Sequence, residues 1–579
     1  MKLKTLSIKN FRNFEDISIT LSNKNVVFGM NDVGKTNFLY ALRFLFERKI
    51  RNKGFLESDF FQKDTTRVIE ICLEIDISDH ETDFDSQNII SKIGKERDSG
   101  NLNSVFIKVI ANFDENEFFG IPKLVWGNQE EELQKIPGEG TFCDLDRLFH
   151  VVYVDPLIDL DKIFSLNKRK IFSKQKTQSD GELLEDINVL AEQINSKIST
   201  MESVTKFQEI LTNEYHNLKN EDISVVLRSE MVINGVFNDL QPYITKNTDV
   251  TKKLYPTSGD GRKKILAYSL LNHITEEFNT NKTIPIFLIE EPENSLHRSM
   301  QIALSKQLFN QEIYRYFVMS THSSEMLYEM DKATLIRLCN EDRTIAKSFL
   351  YKVGEEFSKI KRELNESLTT ALFADRVLLI EGPSEKVLFE KILQEIQPNY
   401  ELEGGYILQV DGIKFKPYYK TLINLGINCI VKTDNDLKET TKNSSKQFEY
   451  IGYNRCVGLL DGNEWKKWEG YIEIDYSSSD REDKIKAWKK SNFNQIQKIQ
   501  QLRNKNIYLS KVDLENDLNE AIPETLELWR NTNHDAVPYL QKQKLMRMIE
   551  LCDFLKEEDC QQIYNHSLFE CLKKLTGDF

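Results

Sequence analysis

The sequence predicts a multidomain α/β protein, and three observations carry that reading. A strand, a glycine loop and a helix follow one another between Asn25 and Phe46, a second series of apolar strands opens at Arg376, and three strands of that series end in paired acids. The 579 residues suffice for about three to five units of roughly 100–200 residues, each with its own core. With 40% apolar and 29% charged residues, the chain is neither disordered nor fibrous.

Charge and cysteine usage narrow the class. Lys and Arg number 77 against 91 Asp and Glu, a formal charge of −14, which points away from a nucleic-acid coat protein without excluding local basic faces. The N-terminal residues lack the apolar core of a signal peptide, and no segment approaches the ~18 apolar residues of a membrane span. Cys72, Cys143, Cys339, Cys429, Cys456, Cys552, Cys560 and Cys571 form no CxxC pair, against both a zinc ribbon and a disulfide framework. A cytoplasmic protein with no membrane association is expected.

The first strand runs from Leu3 to Ile8. The run Asn25 to Phe28 leads directly into Gly29-Met-Asn-Asp-Val-Gly-Lys-Thr36, and helical apolar spacing follows from Asn37 to Phe46. Gly29, Gly34, Lys35 and Thr36 meet the pattern GxxxxGK[ST]: backbone N–H groups surround phosphates, Lys35 reaches the β and γ oxygens, and Thr36 holds Mg²⁺. Asn31 and Asn37 complete the expected ATP contacts. A glycine turn capping an ordinary helix is the bland alternative, and the strand before the loop speaks against it.

Further strands are expected at Ile69 to Ile77, Val105 to Ala111 and Val151 to Val154. From Gly181 to Leu211 the residues Leu183, Ile187, Leu190, Ile194, Ile198 and Met201 recur every three or four positions, which predicts one long amphipathic helix. It belongs to a helical insertion over about residues 160–250 that packs on a partner or on its own hairpin, with a regulatory lever as the other reading.

An ATP site also needs acids at a buried strand end. Pro285 to Ile289 followed by Glu290 and Glu291 supplies them, Glu290 for the metal and Glu291 as base. Ser258 and Gly259 precede the helical run Arg262 to Leu271, and His322 follows the strand Tyr316 to Ser320, where it can sense a γ-phosphate. Alone, such a His or Ser-Gly loop is usually structural; their order after the phosphate loop favours function. Arg262, Lys263 and Lys264 are tied to the same nucleotide interface.

This set resembles the ABC-type ATPase heads of the SMC and RecF group, in which two heads sandwich ATP. The opening Ile8-Lys-Asn-Phe-Arg-Asn-Phe14 resembles that group's first strand, with Arg12 approaching nucleotide. The resemblance implies at least a dimer, with one subunit's Ser-Gly loop on the other's nucleotide. Two departures stand out: Glu290 replaces the usual Asp, and no Gln fills the loop after Val154. Binding of ATP is therefore expected more firmly than its hydrolysis.

A linker helix, Ser358 to Leu372, marks a boundary over residues 351–375 between a head of residues 1–350 and a second domain of residues 376–579. Strand Arg376 to Ile380 delivers Glu381 at its tip and Glu385 one turn into the next helix. Cys429 to Thr433 ends in Asp434-Asn-Asp436, and residues two apart on a strand share a face at roughly 6.5 Å, suited to bridging two metals about 4 Å apart. Ile507 to Leu509 leads to Asp513-Leu-Glu515-Asn-Asp517. Three such acidic strand ends repel one another unless divalent cations neutralise them, and oxygen-only ligands favour Mg²⁺ or Mn²⁺, two per site. Paired metals activate water and stabilise a leaving oxygen in phosphodiester cleavage. Lys542 and Lys544 are candidate cations for the scissile phosphate.

The E, DxD, DxE series resembles a Toprim domain, and an ABC-type head followed by Toprim is the arrangement of the OLD family of nucleases. The stretches Asn25 to Phe46, Tyr255 to Lys264, Leu288 to Phe309, Ala371 to Phe389, Lys432 to Leu437 and Asp513 to Leu518 are similar to the nuclease subunits of Gabija antiphage systems. The resemblance implies an endonuclease on double-stranded DNA, restrained by bound nucleotide, assembled as a dimer or tetramer and working with a UvrD-like helicase subunit. Carried over by position, Glu381, Asp434, Asp436, Asp513 and Glu515 match metal-binding acids, Glu385 the second Glu of the motif, and Lys544 the catalytic lysine; Glu381 and Asp513 join Lys544 in the expected catalytic set. Asp411-Gly412 stands where many Toprim domains have a glycine pair.

Trp465 to Trp468 and Trp488 to Lys490 interleave basic and aromatic residues, either contacting DNA or forming a solvated helix with buried Trp faces. Two other functions are weighed. A DNA-binding ATPase clamp with a structural second half predicts that Glu381→Ala leaves activity intact. A topoisomerase or primase needs a breakage tyrosine or a polymerising site, and neither is identifiable.

Overall fold

Parallel strands buried on both faces read as continuous apolar runs, and the sequence supplies two sets of them. The computed structural model describes residues 1–30, 33–93, 103–139, 142–157, 163, 178–218, 243–244, 255–256, 260–279, 283–330, 333–340, 343–353, 355, 361–410, 414–442, 445–460, 462, 465, 467, 471–473, 481–495, 498–530 and 535–578. They form two units, one of residues 1–153, 286–293 and 298–579, the other of residues 154–285 and 294–297.

In the first unit, β1 (Lys2–Phe11), β2 (Phe14–Thr20) and β3 (Lys24–Phe28) lead into α1 (Lys35–Phe46). Strands β4 (Ile69–Asp76), β5 (Ser104–Asp114), β6 (Phe119–Gly127) and β7 (Gln134–Lys135) extend an antiparallel sheet in the order β2-β1-β4-β5-β6-β7. In β1 the buried side chains are Leu3, Leu6, Ile8 and Phe11, with a register shift between Leu3 and Thr5 interrupting the two-residue alternation.

A second sheet holds the phosphate loop. Its order is β8 (Phe149–Val154), β9 (Ile284–Glu290), β10 (Phe317–Ser320), β3, β11 (Thr334–Asn340), β12 (Thr344–Leu350). Strands β9, β10, β3 and β11 run parallel, with β12 antiparallel at the edge. The parallel core puts the loops after β3, β9 and β10 at one end of the sheet, so residues distant in sequence share one site.

The third sheet is wholly parallel, in the order β14 (Gly405–Gln409), β13 (Arg376–Ile380), β15 (Asn428–Thr433), β16 (Ile507–Leu509). Its core packs Leu378, Ile380, Ile430 and Tyr508 against Leu388, Phe389 and Ile392 of α6 (Pro383–Ile396), and against Leu514 and Leu518 further along the chain. Each such side chain removed from water contributes about 1.5–3 kcal/mol. Arg337 of β11 fastens this sheet to the preceding one, donating to the carbonyls of Gly426 and Ala374 and pairing with Asp375 at 2.6 Å. The linker helix is α5 (Lys361–Ala371), and residues 358–360 of the expected run lie outside the described residues.

In the second unit, the single long helix expected from Gly181 to Leu211 is two helices, α2 (Gln178–Ser199) and α3 (Glu202–Leu218). At the break, the hydroxyls of Ser199 and Thr200 bond back to preceding carbonyls, Asn195 for the first and Ser196 and Lys197 for the second. The backbone then restarts at Met201, whose carbonyl receives the N–H of Thr205. Such back-bonding competes with the helix ladder, a local effect that apolar spacing does not register. α4 (Asp260–Asn279) follows. No helix among the described residues is long and apolar enough to cross a membrane, and none of the eight cysteines, all described, forms a disulfide.

Candidate active site

The phosphate loop is held by one conformational requirement. Gly34 caps α1 at φ 98°, a backbone that side-chain-bearing residues rarely adopt, and a Cβ there would lie 2.2 Å from the Asn13 amide. Lys35, buried, donates to the carbonyls of Gly29 at 3.0 Å and Met30 at 2.7 Å, curling the loop around its own ammonium. The Thr36 hydroxyl bonds Glu290, and so does the Tyr153 hydroxyl on that carboxylate's other oxygen. Arg43 lies over the Tyr153 ring at 3.7 Å. Tyr153, on β8 just ahead of the loop after Val154 that lacks a Gln, thus supplies a polar contact to Glu290. Arg12 donates to Asn37 at 2.8 Å and pairs with Asp59 at 2.9 Å, so the first strand's arginine does reach the start of α1.

Glu291 sits at φ 41°, the left-handed region that a glutamate seldom occupies. Its carboxylate lies 3.2 Å from His322 Nε2. Burial and the nearby Lys35 charge lower the His322 pKa, while buried Glu293 accepts the His322 N–H at 2.6 Å and is itself pushed up by burial. Asn31, Ser258 and Gly259 lie outside the described residues, as does the Arg262 side chain. Lys264 is buried and donates to the carbonyls of Pro156 and Asn294, a structural use of that cation.

The carboxylate site is assembled from the tips of the third sheet. Glu381 follows β13; its Oε1 accepts from the Thr433 hydroxyl and, at 3.0 Å, from the Asp434 N–H. Glu385, in the first turn of α6, accepts the N–H groups of Glu381 and Gly382 through Oε2 at 2.6 and 3.0 Å. Asp434 accepts from the Ser510 hydroxyl at 3.2 Å. Asp513 caps α8 (Leu514–Ala521): Oδ1 accepts from the Asn516 backbone, Oδ2 from Gln541 at 2.8 Å. Lys544, at the start of α9 (Lys544–Phe554), pairs with the buried Glu515 at 3.4 Å.

Glu381, Glu385, Asp434, Glu515 and Lys544 line one cavity of about 510 Å³. Burial and crowding of like charge raise Glu385 and Asp434. Burial and then the Glu381 charge push the Glu385 carboxyl up to about 7. Burial, Glu385, Glu381 and Asp513 push Asp434 well above the carboxylate range. Burial opposes the Lys544 charge, but Glu515, Asp434 and Asp513 outweigh it and raise its pKa. Glu385 Oε1 and Glu515 Oε2 are buried oxygens with no hydrogen-bond partner in the structure. Buried acceptors left unpaired cost about 1–3 kcal/mol each, and a site built only of oxygens suits Mg²⁺ or Mn²⁺. The residues present fit a divalent ion, although among the described residues no three His, Cys, Asp or Glu already stand as a finished metal shell.

The acids of the second motif part company. β15 ends at Thr433, so Asp434 and Asp436 lie in a loop and the shared strand face expected from their spacing does not arise. Asp434 turns to the cavity, whereas Asp436 pairs with Arg455 at 3.0 Å. Asp517 turns away from the site altogether and pairs with Lys432. Lys542 ends a separate helix and is exposed. Trp488 stacks on Tyr450 with ring centroids 4.3 Å apart, and Lys489 donates to the Val512 carbonyl, both internal contacts. Lys466, Trp468 and the Asp411-Gly412 pair lie outside the described residues.

Comparison with known proteins matches residues 372–436 to the model "Overcoming lysogenization defect protein-like, TOPRIM domain" and residues 1–141 to an AAA ATPase domain. Over 579 residues the chain is 47% identical to Endonuclease GajA of Bacillus cereus (strain VD045), covering 100% of this chain and 99% of that protein. The chain belongs to the GajA endonuclease family. More distant relatives are the Old nuclease of Escherichia phage P2, 21% identical over 75% of this chain and 77% of that one, and the OLD nuclease of Thermus scotoductus (strain ATCC 700910 / SA-01), 22% identical over 71% and 77%. The Toprim match spans Glu381, Glu385, Asp434 and Asp436; Asp513, Glu515 and Lys544 of this GajA-family chain fall beyond it, and of these Glu515 and Lys544 line the cavity while Asp513, at the cap of α8, does not.

Proposed function

We propose that this enzyme is a nucleotide-regulated, divalent-metal-dependent DNA endonuclease of a bacterial antiphage defence system, acting in the cytoplasm on double-stranded DNA. The observation that carries it is the cavity in which Glu385 Oε1 and Glu515 Oε2 lie buried and unpaired beside Glu381, Asp434 and Lys544. Glu381, Glu385, Asp434, Asp436, Asp513 and Glu515 would hold two Mg²⁺ or Mn²⁺ ions. When bound, the ions supply a polarised water and charge compensation at the scissile phosphate. The chain's own share is orientation: Thr433 and the Asp434 N–H fix Glu381, two backbone N–H groups fix Glu385, and Gln541 fixes Asp513. Lys544, kept protonated by its acidic neighbours, is the cation for developing negative charge on the phosphate.

The remaining parts follow the same reading. Residues 1–350 serve as the ATPase head, 351–375 as linker and 376–579 as nuclease domain. Arg12, Asn31, Gly34, Lys35, Thr36, Asn37, Ser258, Gly259, Glu290, Glu291 and His322 bind and sense ATP, with sensing rather than turnover as its main use. The exposed apolar side chains Leu183, Leu190 and Ile194 of α2 and Phe207 and Ile210 of α3 support homo-oligomerisation through the insertion, as a dimer or tetramer. The partner is a UvrD-like helicase subunit.

Plasmid incubated with Mg²⁺, with and without ATP, tests the reading. Glu381→Ala, Asp513→Ala and Lys544→Ala are expected to abolish cutting, while Lys35→Ala cuts but loses its response to ATP. Undiminished cutting by the acid variants removes the nuclease site from this cavity.

A further inference from the structure

The carboxylate site already contains a cation that no sequence motif marks. Arg455 stands on α7 (Ile451–Val457), its side chain only 7% exposed. Its Nη1 bonds Glu381 Oε1 and the Thr433 hydroxyl, its Nη2 bonds Asp436 Oδ2 at 3.0 Å, and its Nε is buried with no hydrogen-bond partner in the structure. The guanidinium thus spans an acid from the tip of β13 and an acid beyond β15.

Its placement is tightly specified. The N–H groups of Ile451 and Gly452 both donate to the Asp436 carbonyl at 3.0 Å, which plants the start of α7 on the acidic loop. A Cβ on Gly452 would lie 2.3 Å from the Asp434 carbonyl oxygen, so a bulkier residue cannot bring the helix this close. One turn later Arg455 is aimed at Glu381. Arginine stays protonated at any ordinary pH, so anything else that takes the Glu381 oxygen must displace it. The unpaired Nε makes that displacement easier than it would be for a fully bonded guanidinium.

We propose that Arg455 is a resident counter-cation that bridges Glu381 and Asp436 in the metal-free enzyme and leaves Glu381 when a divalent ion binds, setting the metal concentration at which the site fills. The inference rests on the metal-dependent reading above. Removing the arginine has two opposed consequences: the metal-free acids repel one another more strongly, and an incoming ion no longer competes for Glu381. An arginine that merely organises the acids has the reverse signature, because its loss disorders the ligands and weakens metal binding. The sign of the change in affinity therefore separates the two roles.

Mn²⁺ titrated into the full-length, EDTA-stripped protein without nucleotide, with free ion counted by its electron paramagnetic resonance signal, reads affinity without any cutting. Glu381→Gln defines which bound Mn²⁺ belongs to this site. Arg455→Met is expected to bind that Mn²⁺ about tenfold more tightly than wild type, with Arg455→Lys in between because one ammonium cannot span both acids. Equal or weaker binding by Arg455→Met overturns the proposal. Should Arg455→Met fail to fold, the charge-preserving Arg455→Lys carries the test, tighter binding supporting the proposal and equal or weaker binding overturning it. A wild type holding no Mn²⁺ that Glu381→Gln loses overturns the metal-dependent reading itself, and this inference with it.

Discussion

Lys432 Nζ and Asp517 Oδ2 lie 2.8 Å apart with 1% and 0% of their side chains exposed, an ion pair sealed beneath the strand that leads to Asp434. Lys432 also donates to the Leu568 carbonyl, and Asp517 accepts the Lys511 N–H at 3.0 Å. Burial opposes the lysine's charge, and Asp517 more than restores it. Asp517→Ala strands a buried ammonium and is expected to cost about 3–5 kcal/mol, whereas replacing both partners by Met and Leu recovers most of that. Urea unfolding of wild type and these two variants measures it.

Glu385 gives the metal-free protein a pH dependence. Its folded pKa is about 7 against an ordinary value of 4.5, raised by burial and by Glu381. Between those values the unfolded chain releases the proton and the folded one keeps it, so stability falls as pH rises across that window and levels off above it. The loss amounts to about 3 kcal/mol. Thermal melts in EDTA from about pH 5 to 8 should show this slope, and Glu385→Gln should flatten it.

Gly452→Ala pushes a methyl group into the Asp434 carbonyl and toward the Asp436 N–H, 2.3 and 2.6 Å from an added Cβ. The loop carrying Asp434 must move. Overpacking of this kind costs about 1–3 kcal/mol, and DNA cutting is expected to drop at least about tenfold, since displaced ligands lose the positioning on which catalysis depends. Plasmid nicking rates beside a melt separate the two effects.

Arg337→Ala leaves the Gly426 and Ala374 carbonyls and Asp375 without their shared donor. About 2 kcal/mol of stability is expected to go, and nuclease activity should become less responsive to ATP, because β11 pairs directly with the strand that feeds the phosphate loop. Cutting rates across an ATP titration provide the check.

Much of both sites was legible because their chemistry sits at strand ends. The run Asn25 to Phe28 and the glycine loop after it are contiguous, so order alone identifies them. Glu381, Asp434 and Glu515 converge because three apolar runs become neighbouring parallel strands, and parallel strands share their exit side. What escaped were partners set by tertiary approach. Arg455 comes from a short helix 74 residues beyond Glu381, Tyr153 reaches Glu290 across 137 residues, and Asp517, the last acid of the run that begins at Asp513, pairs with Lys432. The break at Thr200 escaped for the opposite reason, being too local for apolar periodicity to register.

Asp513 holds two posts at once: it is a proposed ligand and it also starts a helix through the Asn516 N–H. Its alanine variant therefore confounds lost chemistry with a frayed helix, and inactivity alone is ambiguous. Asparagine keeps a capping oxygen while removing the charge, so a well-folded but inert Asp513→Asn protein is what isolates the ligand's own role. The same double duty means that any shift in the start of α8 is at once a shift of the proposed ligand.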